Sequence, residues 1–232
     1  MARVGHRGGR TSRPWFALSL SGSDDGADSR DGTDPVTTEY EQIVLLRDGS
    51  HARVRPIRPS DKEALSAGLD QLSDQSRYRR FLRPVSHLSE RELAYLTEID
   101  YTNHFAWVAA DPEDDMKGYG VARYVRDPKD PEVAEAAVAV VDDQQGKGIA
   151  TILMRLLVAT ALEHGITAFR GWVLADNRAA LQPLERLGAR RFADHGVVRV
   201  ELPIDTMTEE DSSVQAVLRA VATGEIEPEP RS

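Results

Sequence analysis

Residues 134–157 read AEAAVAVVDDQQGKGIATILMRLL. Ala134 to Val141 is a short apolar run closed by Asp142 and Asp143, which reads as a buried strand. Gln145-Gly146-Lys147-Gly148-Ile149-Ala150 is a small glycine-containing turn. From there Ile149, Ile152, Leu153, Leu156 and Leu157 recur at helical spacing, so the turn opens an amphipathic helix. Such a helix start leaves its first N–H groups unpaired and aims its positive end at whatever fills the turn, an arrangement that binds phosphate. Gly146 and Gly148 permit positive φ and a close backbone approach. The spacing excludes a P-loop, and Thr151 stands where a dinucleotide fingerprint needs its third glycine. The alternative is a strand–helix connection that uses glycine only to turn tightly.

The rest of the 232-residue chain bounds the possibilities. It suits one domain of about 160 residues plus ends. No apolar run approaches the roughly 18 residues of a membrane span, and Trp15 to Leu20 is too short for a signal-peptide core, so a cytoplasmic location is expected and no membrane partner. The absence of cysteine excludes disulfides, thiolate metal sites and a cysteine nucleophile. His51, His87, His104, His164 and His195 lack metal-ligand spacing, so no metal is expected; His104, at a strand start, is the histidine of interest. The formal charge of −9 sits mainly in the ends: residues 1–20 carry +4, 21–41 carry −6 and 205–232 carry −5. The middle has no basic field for nucleic acid.

Residues 1–38, rich in Gly, Ser, Asp and Arg, read as a disordered tail, and 205–232 as an acidic helix (Thr208 to Ala222) and tail. Between them, Ile43–Arg47 and Ala52–Ile57 form a hairpin across Asp48-Gly49. Ser60 and Glu63 form a capping box for a helix to Leu72; Ser73–Leu82 is a second helix; Ser89 and Glu92 cap a third, to Ile99. On the second, Tyr78 and Phe81 are expected to pack and Arg77, Arg79 and Arg80 to be solvated, the alternative being that these arginines bind an acidic or phosphate-bearing ligand. His104–Ala110 and Gly118–Arg126 are antiparallel strands before the central strand. After the long helix, Gly165 ends it, Thr167–Leu174 is a strand, Arg178–Leu187 a helix stopped by Gly188, and Arg190–Ala193 with Val197–Leu202 a last hairpin. The predicted class is α+β: a mixed, mostly antiparallel central sheet with helices on both faces and one βαβ crossover.

Gln145, Gly148 and Ala150 fill the pattern Q-x-x-G-x-[GA], which resembles the pyrophosphate loop of the GNAT superfamily of acyl-CoA N-acyltransferases. The resemblance spans about Ile43 to Ile204, within a domain placed at 39–204, and includes Ala175-Asp176-Asn177-Arg178-Ala179-Ala180. The stretches Arg55 to Asp61, Arg80-Phe81, Leu96 to Tyr101 and Ala106 to Ala109 are similar to the acetyltransferase domain of bacterial Pat-type protein lysine acetyltransferases. In that family the domain is often fused to a regulatory module, which this sequence does not display.

The resemblance implies acetyl-CoA as co-substrate and an acceptor protein or small amine as partner. It implies contacts to the donor from Val138, Val140, Gln145, Gly146, Lys147, Gly148, Ile149, Ala150, Thr151 and Asn177, of which Asn177 equally suits a helix N-cap. A lysine acceptor must lose a proton before attack. Glu135, on the strand among small apolar residues, is the candidate base, since burial would raise its pKa. Backbone N–H groups near Val140 would meet the developing oxyanion. Many relatives carry a tyrosine seven residues after the asparagine to protonate the leaving thiolate; here Leu184 stands there. The expected activity is direct acetyl transfer to an amine, protein lysine first, with small-amine acetylation or a non-catalytic acyl-CoA-binding module as alternatives.

Overall fold

In a computed structural model, residues 40–205 are described, apart from Leu187. The expected N-terminal tail and the helix at 208–222 lie outside the described residues. Eight strands form a single sheet in the order β1-β2-β3-β4-β5-β6-β8-β7. They are β1 (Gln42–Leu45), β2 (His51–Pro56), β3 (His104–Ala110), β4 (Gly118–Asp127), β5 (Asp130–Val140), β6 (Ala168–Leu174), β7 (Arg190–Asp194) and β8 (Val197–Pro203). Every neighbouring pair is antiparallel except β5 and β6. The helices are α1 (Lys62–Asp70), α2 (Asp74–Phe81), α3 (Glu90–Thr97), α4 (Ile149–Glu163) and α5 (Arg178–Arg186).

Strand alternation sorts the side chains between two faces. Phe105, Trp107, Ala122, Tyr124 and Ala134 point to one face and bury against α4, whose Leu153, Leu156 and Leu157 are fully enclosed. Each such leucine contributes about 1.5–3 kcal/mol of burial. Trp107 Nε1 donates to Thr160 Oγ1 at 2.9 Å, and Thr160 in turn donates to Leu156 O at 2.8 Å, so the ring's polar end is satisfied inside the core. A Schellman turn ends α4: Ile166 N–H reaches Ala161 O at 2.8 Å and Gly165 N–H reaches Leu162 O at 2.9 Å. Gly165 holds the positive φ of 73° expected of it. The opposite face is covered by α1–α3, where Leu69, Leu72, Leu93 and Leu96 pack with Val141.

The Ser89–Glu92 capping box forms as expected, with Ser89 N–H on Glu92 Oε2 at 2.8 Å and Glu92 N–H on Ser89 Oγ at 3.3 Å. The Ser60–Glu63 box does not. A 3-10 turn at Pro59–Asp61 precedes α1, and Asp61 is drawn inward instead. It accepts both Arg55 Nη1 and Nη2 at 2.8 Å and the Arg58 N–H at 2.7 Å. A buried bidentate pair outweighs an exposed cap worth about 1 kcal/mol. Packing on α2 also reverses one expectation. Tyr78 is 45% exposed, while Arg80 is half-buried with its guanidinium 5.0 Å from the Phe81 ring centre.

Candidate active site

β5 decides the site because its two edges have different lengths of partner. Against β4 it pairs along most of its length, Ala134 to Val140. Against β6 it pairs only from Val133 to Glu135. Beyond Glu135 the parallel strands part, and the apolar run expected to be a buried strand lines an open cleft, with Val138 38% exposed. The Val141 N–H donates to Tyr119 O at 3.0 Å, with Gly120 opposite Val140. Antiparallel alternation therefore turns the N–H groups of Val138 and Val140 away from β4, toward the cleft. The exposed Val138, beside N–H groups turned away from β4, suits an extended, amide-bearing ligand laid along the strand.

The glycine turn stands at the cleft's far end. Gly146 has φ 79° and Gly148 φ 90°, the conformations for which glycine is needed. Gly148 is the N-cap of α4 and offers no side chain, and the first helical bond runs from Ile152 N–H to Gly148 O at 3.1 Å. The N–H groups of Ile149, Ala150 and Thr151 thus lack helical acceptors and face a pocket lined also by Gly146 and Gly148. Val138, Val140 and Gln145 line both this pocket and the cleft, so the two are continuous.

The side chains of the turn are engaged with each other. Gln145 Nε2 donates to Val140 O at 3.1 Å and Asp142 Oδ1 at 3.0 Å, clamping the turn onto the strand end. Lys147 Nζ pairs with Asp48 at 3.1 Å and donates to Gln144 Oε1 at 3.0 Å. Asp142 also accepts the Ser73 N–H at 3.1 Å, joining the turn to the start of α2. Asn177 lies in the cleft wall and caps α5 through its main chain, accepting Leu181 N–H at 3.1 Å.

Glu135 sits at the point where β5 and β6 part. Its Oε2 is buried with no hydrogen-bond partner. Burial raises its pKa to about 7; Arg170 opposes the rise and Asp127 reinforces it. Arg170 is held by Asp127 at 2.8 Å and Glu201 at 3.4 Å, which divides its charge among three carboxylates. His104 is 9% exposed, and burial followed by the charge of Arg123 lowers its pKa to about 3, so it stays neutral in the core. Leu184 and Met154 make the cleft apolar where a thiolate's acid could have stood.

Sequence reasoning missed Arg47 and Trp172, and preferred a solvated helix face for Arg79. Arg47 lines the glycine-turn pocket, its N–H on Lys147 O at 3.1 Å. Arg79 and Trp172 line the cleft. None carries a local signal: Arg47 arrives from a hairpin about a hundred residues upstream. No group of residues able to hold a metal occurs among the described residues, and no described helix is long and apolar enough to cross a membrane.

A mixed sheet split beside a glycine turn at a bare helix start offers a place for an extended, phosphate-bearing ligand. Residues 72–189 match the model of the Acetyltransferase (GNAT) family. The chain belongs to that family of N-acetyltransferases. It is similar to Acetyltransferase Pat of Mycolicibacterium smegmatis, 36% identical over 180 residues, covering 75% of this chain and 53% of that protein. The chain thus spans about half the length of that curated relative. The crystal structure of the GNAT domain of S. lividans PAT superposes with a TM-score of 0.64 at 32% identity, covering 70% of this chain and 96% of that one. A Salmonella typhimurium protein solved with its cofactor acetyl-CoA shares the fold, with a TM-score of 0.54 at 16% identity over 68% of this chain and 96% of that one.

Proposed function

We propose that this protein transfers an acetyl group from acetyl-CoA directly to an amine, with protein lysine as the acceptor and the cytoplasm as its location. The observation that carries this reading is Glu135, its Oε2 buried without a hydrogen-bond partner and its pKa about 7, on β5 next to Ala136 and Ala137 of a cleft that ends in a helix N-terminus. The residues fit the donor. Amide hydrogens of Ile149, Ala150 and Thr151, with the open turn at Gly146 and Gly148, suit a pyrophosphate. The exposed edge at Val138 and Val140 suits the pantetheine amides, with Asn177 in the facing wall. Gln145 serves by clamping the turn, and Lys147 by adding positive charge beside it. When bound, acetyl-CoA supplies a thioester whose C–S bond breaks as the C–N bond forms.

Glu135 removes the proton from the acceptor's ammonium, and a pKa near neutrality lets it do so at physiological pH. The Val140 N–H faces the negative charge that develops on the carbonyl oxygen. The thiolate leaves without a tyrosine acid, as its reference pKa of about 8.5 permits. Incubation with acetyl-CoA and a cell lysate, followed by mass spectrometry, should reveal newly acetylated lysines. A panel of small amines provides the comparison. Acetylation of small amines with none on protein would refute the lysine assignment, and no transfer to either would refute the enzymatic one.

A further inference from the structure

The face of the sheet that carries Glu135 also carries Arg123. The β4–β5 register sets Val125 opposite Glu135 and Arg123 opposite Ala137. Arg123 is 1% exposed. Both of its hydrogen bonds leave from Nη1, to Leu96 O at 3.1 Å and to His104 Nε2 at 3.0 Å. Its Nε is buried without an acceptor. Among the described residues, no carboxylate forms an ion pair with it. Burial first, then repulsion from Arg80, lowers its pKa to about 9, with only Tyr95 opposing. A guanidinium enclosed without a counter-charge is unfavourable, and buried charges are normally paired.

Arg123 forms part of the wall of an apolar cavity between the sheet and helices α1–α3. Leu65 and Leu69, Leu96, Val108 and Val121 supply much of the remaining wall. The acids at its edge are engaged elsewhere: Asp61 with Arg55 at 2.8 Å and Asp115 with Arg53 at 2.9 Å. The cavity adjoins the cleft, since Leu72, Arg80 and Ala139 line both.

We propose that this cavity binds a short aliphatic carboxylate, its oxygens on the Arg123 guanidinium and its methylenes against the leucine and valine wall. The planar edge of a guanidinium matches a carboxylate bidentately, and the apolar wall suits methylenes better than a phosphate. The carboxylate has two sources: a free acid, or the far end of a dicarboxylic acyl group carried on a thioester in the adjoining cleft.

Butyrate, succinate and neutral butyramide, titrated into the full-length protein without donor or acceptor, test the proposal by calorimetry and by the Arg123 Nε–H resonance. The two acids bind and move that resonance, and butyramide does neither. Arg123→Met weakens binding at least about tenfold, the loss expected of a charge-assisted pair. Gly68→Leu is the second variant, for use if removal of Arg123 unfolds the chain. Gly68 lines the cavity within α1, and a Cβ there meets nothing within 4 Å. Leucine at that position fills the space, favours the helix and blocks the acids. A single-turnover preference for succinyl-CoA over butyryl-CoA that Arg123→Met removes assigns the acyl-chain source. Binding of free succinate without that preference assigns the free acid. Absence of heat and of any resonance shift with both acids, or binding that survives in both variants, overturns the proposal. Because the first arm uses no thioester, failure of acetyl transfer is a separate result.

Discussion

Replacing Glu135 with glutamine should make the protein more stable and nearly inactive at once, and the two effects share one cause. In the folded state the carboxyl titrates at about 7 against an ordinary 4.5, chiefly because burial penalises its charged form. A raised carboxyl pKa means that the folded state holds the proton more tightly than the unfolded chain between those values. Stability therefore falls as pH rises through that window, and the full penalty is present above about pH 7. At 1.36 kcal/mol per unit the penalty has an upper bound of about 3 kcal/mol. The side chain is only half-buried, and screening by solvent brings the penalty to about 1–2 kcal/mol. Glutamine has the shape of the protonated form and no charge to desolvate. The variant should match the wild type near pH 4 and melt some 3–6 °C higher at pH 8, by thermal denaturation followed with circular dichroism. Acetyl transfer should fall about 100- to 10,000-fold, the range of a general base, and lose the limb of its pH–rate profile near 7. Parallel stability curves for the two proteins across pH 4 to 8 would refute the buried-carboxyl reasoning, and an unchanged rate would remove Glu135 from the chemistry.

Three further outcomes follow from other parts of the structure. A Cβ at Gly120 would lie 2.8 Å from Ala139 O and 3.1 Å from Val140 Cγ2, so Gly120→Ala should destabilise by about 1–3 kcal/mol, read by urea unfolding. Gly148→Ala forces a side chain onto φ 90°; it should lose about 1 kcal/mol of stability and weaken CoA binding in calorimetry. The His104 ring should stay neutral from pH 8 down to 5, with no titration of its NMR signals. Its lowered pKa removes stability as pH falls from about 6.5 toward 3, because the unfolded chain takes up the proton first.

Much of this architecture could be read from residue order, because the features concerned leave local marks. Gly146, Gly148 and Gly165 stand where positive φ is needed, and Ser89 with Glu92 satisfies its helix start within four residues. What eluded the reading depends on partners distant in the chain. Ala134 to Val141 looks buried by composition, yet whether a strand's neighbour keeps pace with it is set by β6, some thirty residues later. Arg123 alternates with apolar residues like any solvent-facing charge; periodicity identifies its face but not that α1 and α3 cover it. Ser60 lost its capping role to Arg55, which claimed the adjacent Asp61. At the site, Glu135 and the glycine turn were legible, while Arg47 and Arg79 reach it only through tertiary folding.

Asp142 is the joint between two halves of the molecule's work. One of its oxygens braces Gln145 in the turn, and the other holds Ser73 at the head of α2, the helix whose Arg79 and Arg80 wall the cleft. Removing that one carboxylate, as in Asp142→Ala, would therefore release the turn and the head of α2 together.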